Sequence, residues 1–341
     1  MRRIALLLLI AAGLAPGTWI RSAPPDRAVL QGLTVTKLDA AANPQGAMRL
    51  QGVWSLASRN EHFGGYSALL LTEGGRMFAA SDRGRVLDFA RPDGARSGPP
   101  QMRRFRPEQP SAKHLADIEA ITRDPESGLI WAAYEGSNAI MRVDPATGEQ
   151  IRVFPESMQD WSSNSGPEAM VRMADGRFIV LSESLGGVVG RASPAVMFSG
   201  DPVEPAEVFG FSFQAPDGYR ATDMAALPDG RMLILVRRVV FGFPPGFASK
   251  IVLADPATIT RGAIWRGMVI AELDAIAPSE NYEAIAAEPA SAQAGSPVTI
   301  WVMSDDNLAT LQRTLLLKLK YTPPAAPKHE KAREKPARSS G

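Results

Sequence analysis

A chain of 341 residues, 45% hydrophobic with 30 glycines and 28 prolines, has the length for one large domain and more turn formers than a helical bundle uses. Formal charge is +1, and once the two arginines at the start and the basic tail are set aside the body is mildly acidic, which excludes a nucleic-acid footprint. The absence of cysteine excludes disulfides, thiolate metal sites and a cysteine nucleophile.

Arg2 and Arg3 precede an apolar stretch from Ile4 to Ala15, which Pro16 and Gly17 interrupt and Trp19 and Ile20 prolong. This is the layout of an export signal. Residues 1–22 are therefore read as a signal peptide or an uncleaved N-terminal anchor, and the protein as exported, periplasmic or envelope-associated, touching a membrane only through that segment. The folded body spans residues 28–321. Its first strand-like run, MRLQGVWSLAS from Met48, has no hairpin of its own. It is expected to supply an outer strand to the last blade and so close the ring, unless residues 28–60 make a degenerate blade.

From there a unit recurs about every fifty residues: GYSALLLTEGGRMFAASD from Gly65, DIEAITRDPESGLIWAAYE from Asp117, GPEAMVRMADGRFIVLSE from Gly166, ATDMAALPDGRMLILVR from Ala221 and NYEAIAAEPASAQAGSPVTIWVMSDD from Asn281. Each holds two short apolar runs joined by a glycine-containing turn, the signature of a β-hairpin. A third run follows, as in RVLDFAR, AIMRVDP, SKIVLADP and TLLLKLKY, and often a fourth. Four antiparallel strands at this period predict an all-β fold, a single β-propeller of five to six four-stranded blades. The remaining residues, 322–341, are rich in Pro, Ala, Lys and Arg without apolar periodicity and read as a disordered basic tail.

Alignment on the turn glycine places Ser67, Glu119, Glu168, Thr222 and Glu283 at one position. In a propeller the innermost strands start at one face, so these residues should ring the central channel, with Asp117 and Asp223 beside them. The acids that end the second strands, Asp82, Glu135, Glu183, Asp305 and Asp306, are expected at the opposite end of their hairpins. Three ionised glutamates about 6 Å apart would cost on the order of 3 kcal/mol per pair at an effective dielectric of about 20. A divalent cation, Ca²⁺ foremost, partial protonation, or arginines such as Arg83 and Arg237 would offset this. Taken singly, each glutamate reads first as a group that registers neighbouring blades; taken together, the set reads as a cation or polar-ligand site. His62 and His114 hold the same place ahead of Ser67 and Glu119. They read as solvated loop residues or, at the channel mouth, as a general base or a phosphate contact. Ser67 lacks the second glycine of a nucleophile elbow.

The motifs FGGYSAL (63–69), SDRG (81–84), DIEAI (117–121), GPEAM (166–170), TDMAALPDGRMLILVRR (222–238), NYEAIA (281–286) and VMSDDN (302–307) together resemble the "esterase-like activity of phytase" family, the phytase-like proteins, over roughly residues 50–320. The resemblance implies an exported β-propeller whose recurring acids carry a hydrolytic function; the matching positions here are Asp82, Glu119, Glu168, Asp223, Glu283 and Asp305. The fourth unit departs from the pattern, with Thr222 at the ring position and Arg237-Arg238 where an acid ends the second strand. The expectation is a monomeric, metal-assisted hydrolase of a small phosphate ester or carboxylic ester. Glu119, Glu168 and Glu283 would hold the cation, Asp82, Asp223, His62 or His114 would activate water, and Arg83 and Arg237 would contact the substrate. A non-catalytic binding propeller of the envelope and a lactonase-like calcium propeller remain alternatives, because fold does not choose among them.

Overall fold

The computed structural model describes residues 32–40, 46–94, 98–105, 116–184, 192–242, 246–288 and 296–323. The expected signal or anchor at 1–22 and nearly all of the expected tail at 322–341 lie outside these residues, as does His114. No helix of the described residues is long and apolar enough to cross a membrane.

Among the described residues twenty-two strands, β1 to β22, make five sheets. The first blade is built from β3 (Tyr66–Thr72), β4 (Arg76–Ser81), β5 (Arg85–Ala90) and β6 (Gln101–Arg104). The second uses β7 (Ile118–Arg123), β8 (Ile130–Tyr134), β9 (Ala139–Val143) and β10 (Gln150–Val153). The third uses β11 (Pro167–Arg172), β12 (Phe178–Ser182), β13 (Ser193–Phe198) and β14 (Val208–Gln214). The fourth uses β15 (Arg220–Ala226), β16 (Met232–Val240), β17 (Gly246–Ala254) and β19 (Met268–Glu272). In the fifth, β20 (Tyr282–Ala287), β21 (Val298–Ser304) and β22 (Thr314–Tyr321) are joined by β2 (Met48–Ala57), with β1 (Thr34–Leu38) outside it. The innermost strands touch in the cyclic order β3, β7, β11, β15, β20 and back to β3.

The protein is thus a five-bladed β-propeller of essentially four-stranded blades. The degenerate sixth blade allowed for residues 28–60 does not form, because Val53 pairs with Leu317 and Thr36 with Ser55 in the last sheet. Apolar runs, rather than alternation, mark the inner strands because both faces of each blade are covered. All five residues of β12, Phe178–Ser182, are buried. Packing follows the same logic: among the described residues one apolar cluster fills each junction between adjoining blades. One example joins Trp131 and Ile140 to Phe178 and Val196, and another joins Leu235 and Ile251 to Ile300 and Leu317. Each such side chain contributes about 1.5–3 kcal/mol by leaving water. The outer strands are more exposed, as the pattern in β6 shows, where only Met102 is buried.

One connection was not legible in the repeat. Between β17 and β19 the chain leaves its own blade, and β18 (Ile264–Arg266) pairs in parallel with β14 of the third blade. Trp265 anchors this excursion: it is buried, its Nε1 donates to Asp255 O at 2.9 Å, and its ring lies 5.6 Å from that of Phe213.

Candidate functional site

Every innermost strand opens with the same irregularity. The register against the second strand slips between Tyr66 and Ala68, Ile118 and Ala120, Pro167 and Ala169, Ala221 and Asp223, and Tyr282 and Ala284. The skipped residues are Ser67, Glu119, Glu168, Thr222 and Glu283, the positions that the repeat aligned. A β-bulge takes its extra residue off the ladder and re-aims its side chain, so one backbone device repeated in five blades presents five side chains at one end of the ring.

The acids that end the second strands lie at that same end, contrary to the expectation that they sit at the far end of their hairpins. In an antiparallel hairpin the last residue of one strand faces the first of the other. Accordingly Asp82 N donates to Gly65 O, Glu135 N to Asp117 O, Glu183 N to Gly166 O and Asp305 N to Asn281 O, at 2.8–3.2 Å. Two glycines permit the crowding. A Cβ on Gly65, whose φ is +72°, would meet Asp82 Oδ1 at 2.7 Å, and one on Gly166 would meet Asn138 Oδ1 and Glu135 O at 2.6 Å.

Two carboxyl trios result: Asp117, Glu119 and Glu135 in one, and Glu135, Glu168 and Glu183 in the other, with an oxygen of each member within 4.8 Å of the others. Two full charges that close would repel by at least about 3 kcal/mol at an effective dielectric of 20. Protons, a cation or guanidinium groups would offset this repulsion, and at Glu183 the Nη1 of Arg220 lies 3.4 Å from Oε2. Burial, then the charges of Glu168 and Glu283, push the Glu119 carboxyl well above its ordinary value; burial, then Glu183 and Glu283, do the same to Glu168. An all-oxygen donor set of carboxylates from adjacent strands suits a hard divalent ion such as Ca²⁺. Of the expected ligands, Glu119 and Glu168 fall one in each trio. Glu135 and Glu183 complete the trios and were missed as ligands only because they had been assigned to the wrong end.

Glu283 is held differently. Its Oε1 accepts from Asn281 Nδ2 at 2.7 Å and lies 3.3 Å from Arg237 Nη2. Arg237 also reaches Glu183 Oε1 at 3.5 Å and donates through Nη1 to Asn281 Oδ1 at 2.9 Å. Although burial works against its charge, the carboxylates of Glu283, Glu168, Glu183 and Asp305 hold the guanidinium above its ordinary value. Arg237 thus stands, in the fourth blade, where the other blades place an acid.

The remaining expected residues divide by partner. Asp223 is buried and both its oxygens are engaged, Oδ1 by Met224 N at 2.8 Å and Oδ2 by Ile285 N of the next blade at 2.7 Å. Burial nonetheless raises its carboxyl well above the ordinary value, the two bonds opposing. Ser67 plays a similar part, donating its hydroxyl to Ile118 O across a blade junction at 2.6 Å. Asp82 lies close enough to Glu119 and Asp305 to raise both. Arg83 is exposed in the turn after Asp82, its backbone N–H donated to Ser81 Oγ at 3.3 Å. His62 keeps company with Glu61, Arg85 and Arg104.

Comparison with known proteins comes from three directions. The profile of the family described as phytase-like, esterase-like activity of phytase, matches residues 61–308. No curated protein matches the chain. Among solved structures, the β-propeller domain of Myceliophteria thermophila Cps50 (Swd1) superposes with a TM-score of 0.39 at 11% identity, over 85% of this chain and 100% of that one. Luciferin-regenerating enzyme gives 0.41 at 10% identity, over 84% and 95%. A structural-genomics target described as a candidate gluconolactonase gives 0.44 at 11% identity, over 88% and 97%.

Proposed function

Because the chain belongs to the phytase-like family, esterase-like activity of phytase, we propose that it is an exported hydrolase of a phosphate ester or carboxylic ester that works with a divalent cation, calcium foremost, at the axial carboxylates. The observation that carries this reading is the pair of trios sharing Glu135. Asp117, Glu119, Glu135, Glu168 and Glu183 would hold the cation. When bound, such an ion polarises the ester oxygen and lowers the pKa of water beside it.

The chain's own groups do the rest. Asp82, next to Glu119 and Asp305, is the carboxylate placed to take a proton from water. Burial holds the Glu119 and Glu168 carboxyls well above their ordinary values, so a cation bound there would displace their protons. Arg237 fixes Glu283 and reaches the edge of the second trio at Glu183. Asp223 and Ser67 hold adjacent blades in register rather than meet substrate. In the same reading, the pairing of β2 with β22 closes the ring and removes an exposed edge.

The test is thermal and chemical together. The purified protein should melt at a higher temperature in millimolar Ca²⁺ than in chelator, since a ligand at a hundredfold excess over its Kd stabilises by about 2.7 kcal/mol. Glu135→Gln, which touches both trios, should abolish that difference and lower hydrolysis of aryl esters or aryl phosphates by at least ~10²-fold. Identical melting with calcium and with chelator would sink the cation reading. No turnover of either substrate class would leave a binding propeller.

A further inference from the structure

The first blade carries a second charged cluster, of opposite sign, at the same end as the carboxylates. The turn out of β4 runs Ser81-Asp82-Arg83-Gly84-Arg85, so the basic residues begin one position after Asp82. Arg85, the first residue of β5, lies directly opposite Arg104, the last of β6. Like charges facing each other across a sheet are unfavourable. His62, on the loop that leads into β3, feels both guanidinium charges, and the exposed carboxylate of Glu61, 3.9 Å from His62 Nε2, is the acid set against them.

Two atoms in this cluster are shielded from water and have no acceptor or donor among the described residues: Arg85 Nη1 and His62 Nδ1. A buried polar atom without a partner forfeits its hydration for nothing. The same environment holds both groups below their ordinary pKa values. For Arg85 the causes are burial, then Arg104 and Arg83; for His62 they are burial, then Arg85 and Arg104, with Glu61 opposing in each case. An oxyanion would satisfy the unpartnered Arg85 N–H, and His62 Nδ1 where that nitrogen carries the proton, and would remove the repulsion at once. A tetrahedral anion also matches two guanidinium forks better than a single point charge does.

We propose that Arg85, Arg104 and His62 form an oxyanion subsite that takes phosphate, either free or as the headgroup of a phosphomonoester, beside the axial carboxylates. As a binding site it stands on the first blade alone. As a choice of phosphate ester over carboxylic ester, it rests on the hydrolase reading above. An arginine kept for structure would have a carboxylate or carbonyl to bond; Arg76, in the same blade, donates to Asp88 Oδ1 at 2.7 Å. Arg85 Nη1 has neither.

The experiment is a calorimetric titration of inorganic phosphate, and separately of phenylphosphonate, into purified protein in excess chelator, so that no metal ion can carry the anion. Both ligands are expected to bind. Arg85→Gln and Arg104→Gln should each weaken binding at least tenfold, and Arg85→Lys should recover part of the loss. Without anion, Arg85→Gln should melt no lower than the parent, because it relieves repulsion; a structural arginine would give the opposite result. Binding unchanged in both Gln variants, or no binding to the parent, overturns the subsite. Phosphate bound without phenylphosphonate supports the subsite and overturns its assignment to a monoester. Arginine-dependent phosphate binding, with neither phenyl phosphate nor phenyl acetate hydrolysed in calcium, upholds the subsite while the hydrolase reading fails.

Discussion

The two sides of the axial ring share a backbone and differ in how they settle charge. In the second and third blades the bulges at Glu119 and Glu168 and the strand ends at Glu135 and Glu183 bring carboxyls against carboxyls. In the fourth and fifth blades the same bulge carries Thr222 and Glu283, and Arg237 with Asn281 ties up the glutamate. One half ties its acid to a guanidinium and an amide, whereas the other sets carboxyl against carboxyl and meets the guanidinium groups of Arg237 and Arg220 at Glu183. The difference shows that the repeated bulge only delivers a side chain to the axis, and that the residue placed there determines what the position does.

The sharpest way to break the comparison is to remove its counter-ion. Arg237→Gln should leave Glu283 without its guanidinium in a largely buried setting and Glu183 with that of Arg220, at a cost of about 3 kcal/mol. Chemical denaturation should show it as a lower midpoint at unchanged slope. A parent-like midpoint at neutral pH would mean that the two sides do not differ in this way. Asp223→Asn should cost less, about 1–3 kcal/mol, because an amide cannot accept from both Met224 N and Ile285 N. Its calcium response should survive, since Asp223 lies outside the trios.

The smallest effect, per step, is the response to pH. Glu119, Glu168 and Asp305 have folded values above their unfolded ones. Their protonated forms therefore favour the fold, and that stabilisation is present below the unfolded carboxyl value and is lost as pH rises through the folded one. Each group contributes at most about 1.4 kcal/mol per pH unit. His62, lowered when folded, works the other way below its ordinary value, as a single group. Asp124, Asp144, Asp175 and Asp229 are held below theirs and withdraw support only in stronger acid. In chelator, melting temperature should rise as pH falls through the folded carboxyl values toward the ordinary one, and saturating calcium should reduce the slope by the share of Glu119 and Glu168. A slope that calcium leaves unchanged would detach the cation from these carboxyls.

Much of this arrangement was legible in the residues. The recurring hairpins gave the blades, and alignment on the turn glycine found the five bulge positions without revealing that they are bulges, because the extra residue shows only when strands are paired. The misplacement of Glu135 and Glu183 had a simple cause: their distance along the chain was taken as distance along the blade, although the hairpin folds it back. Arg237 was noticed as a break in the acidic pattern. Its use as the fourth blade's answer to Glu283 depends on the reach of a long side chain, which spacing does not encode. The excursion of β18 was hidden for another reason. Ile264-Trp265-Arg266 is too short to read as a strand, and its partner Ser212–Gln214 belongs to a different blade.

The pairing of Val53 with Leu317 also sets an order of events. The ribosome releases β2 among the first strands of the body, and β22 is the last. Until then the apolar residues of β2, Val53 on one face and Trp54 and Leu56 on the other, lack the inner strands they pack against and have β1 alone beside them. The contact costs the loop-closure entropy of nearly the whole body before it yields any packing, the circumstance in which folding is slow and unpaired edges meet neighbours. A pairing between an early strand and a late one is thus a kinetic liability during synthesis, when the apolar residues of β2 are open to other copies.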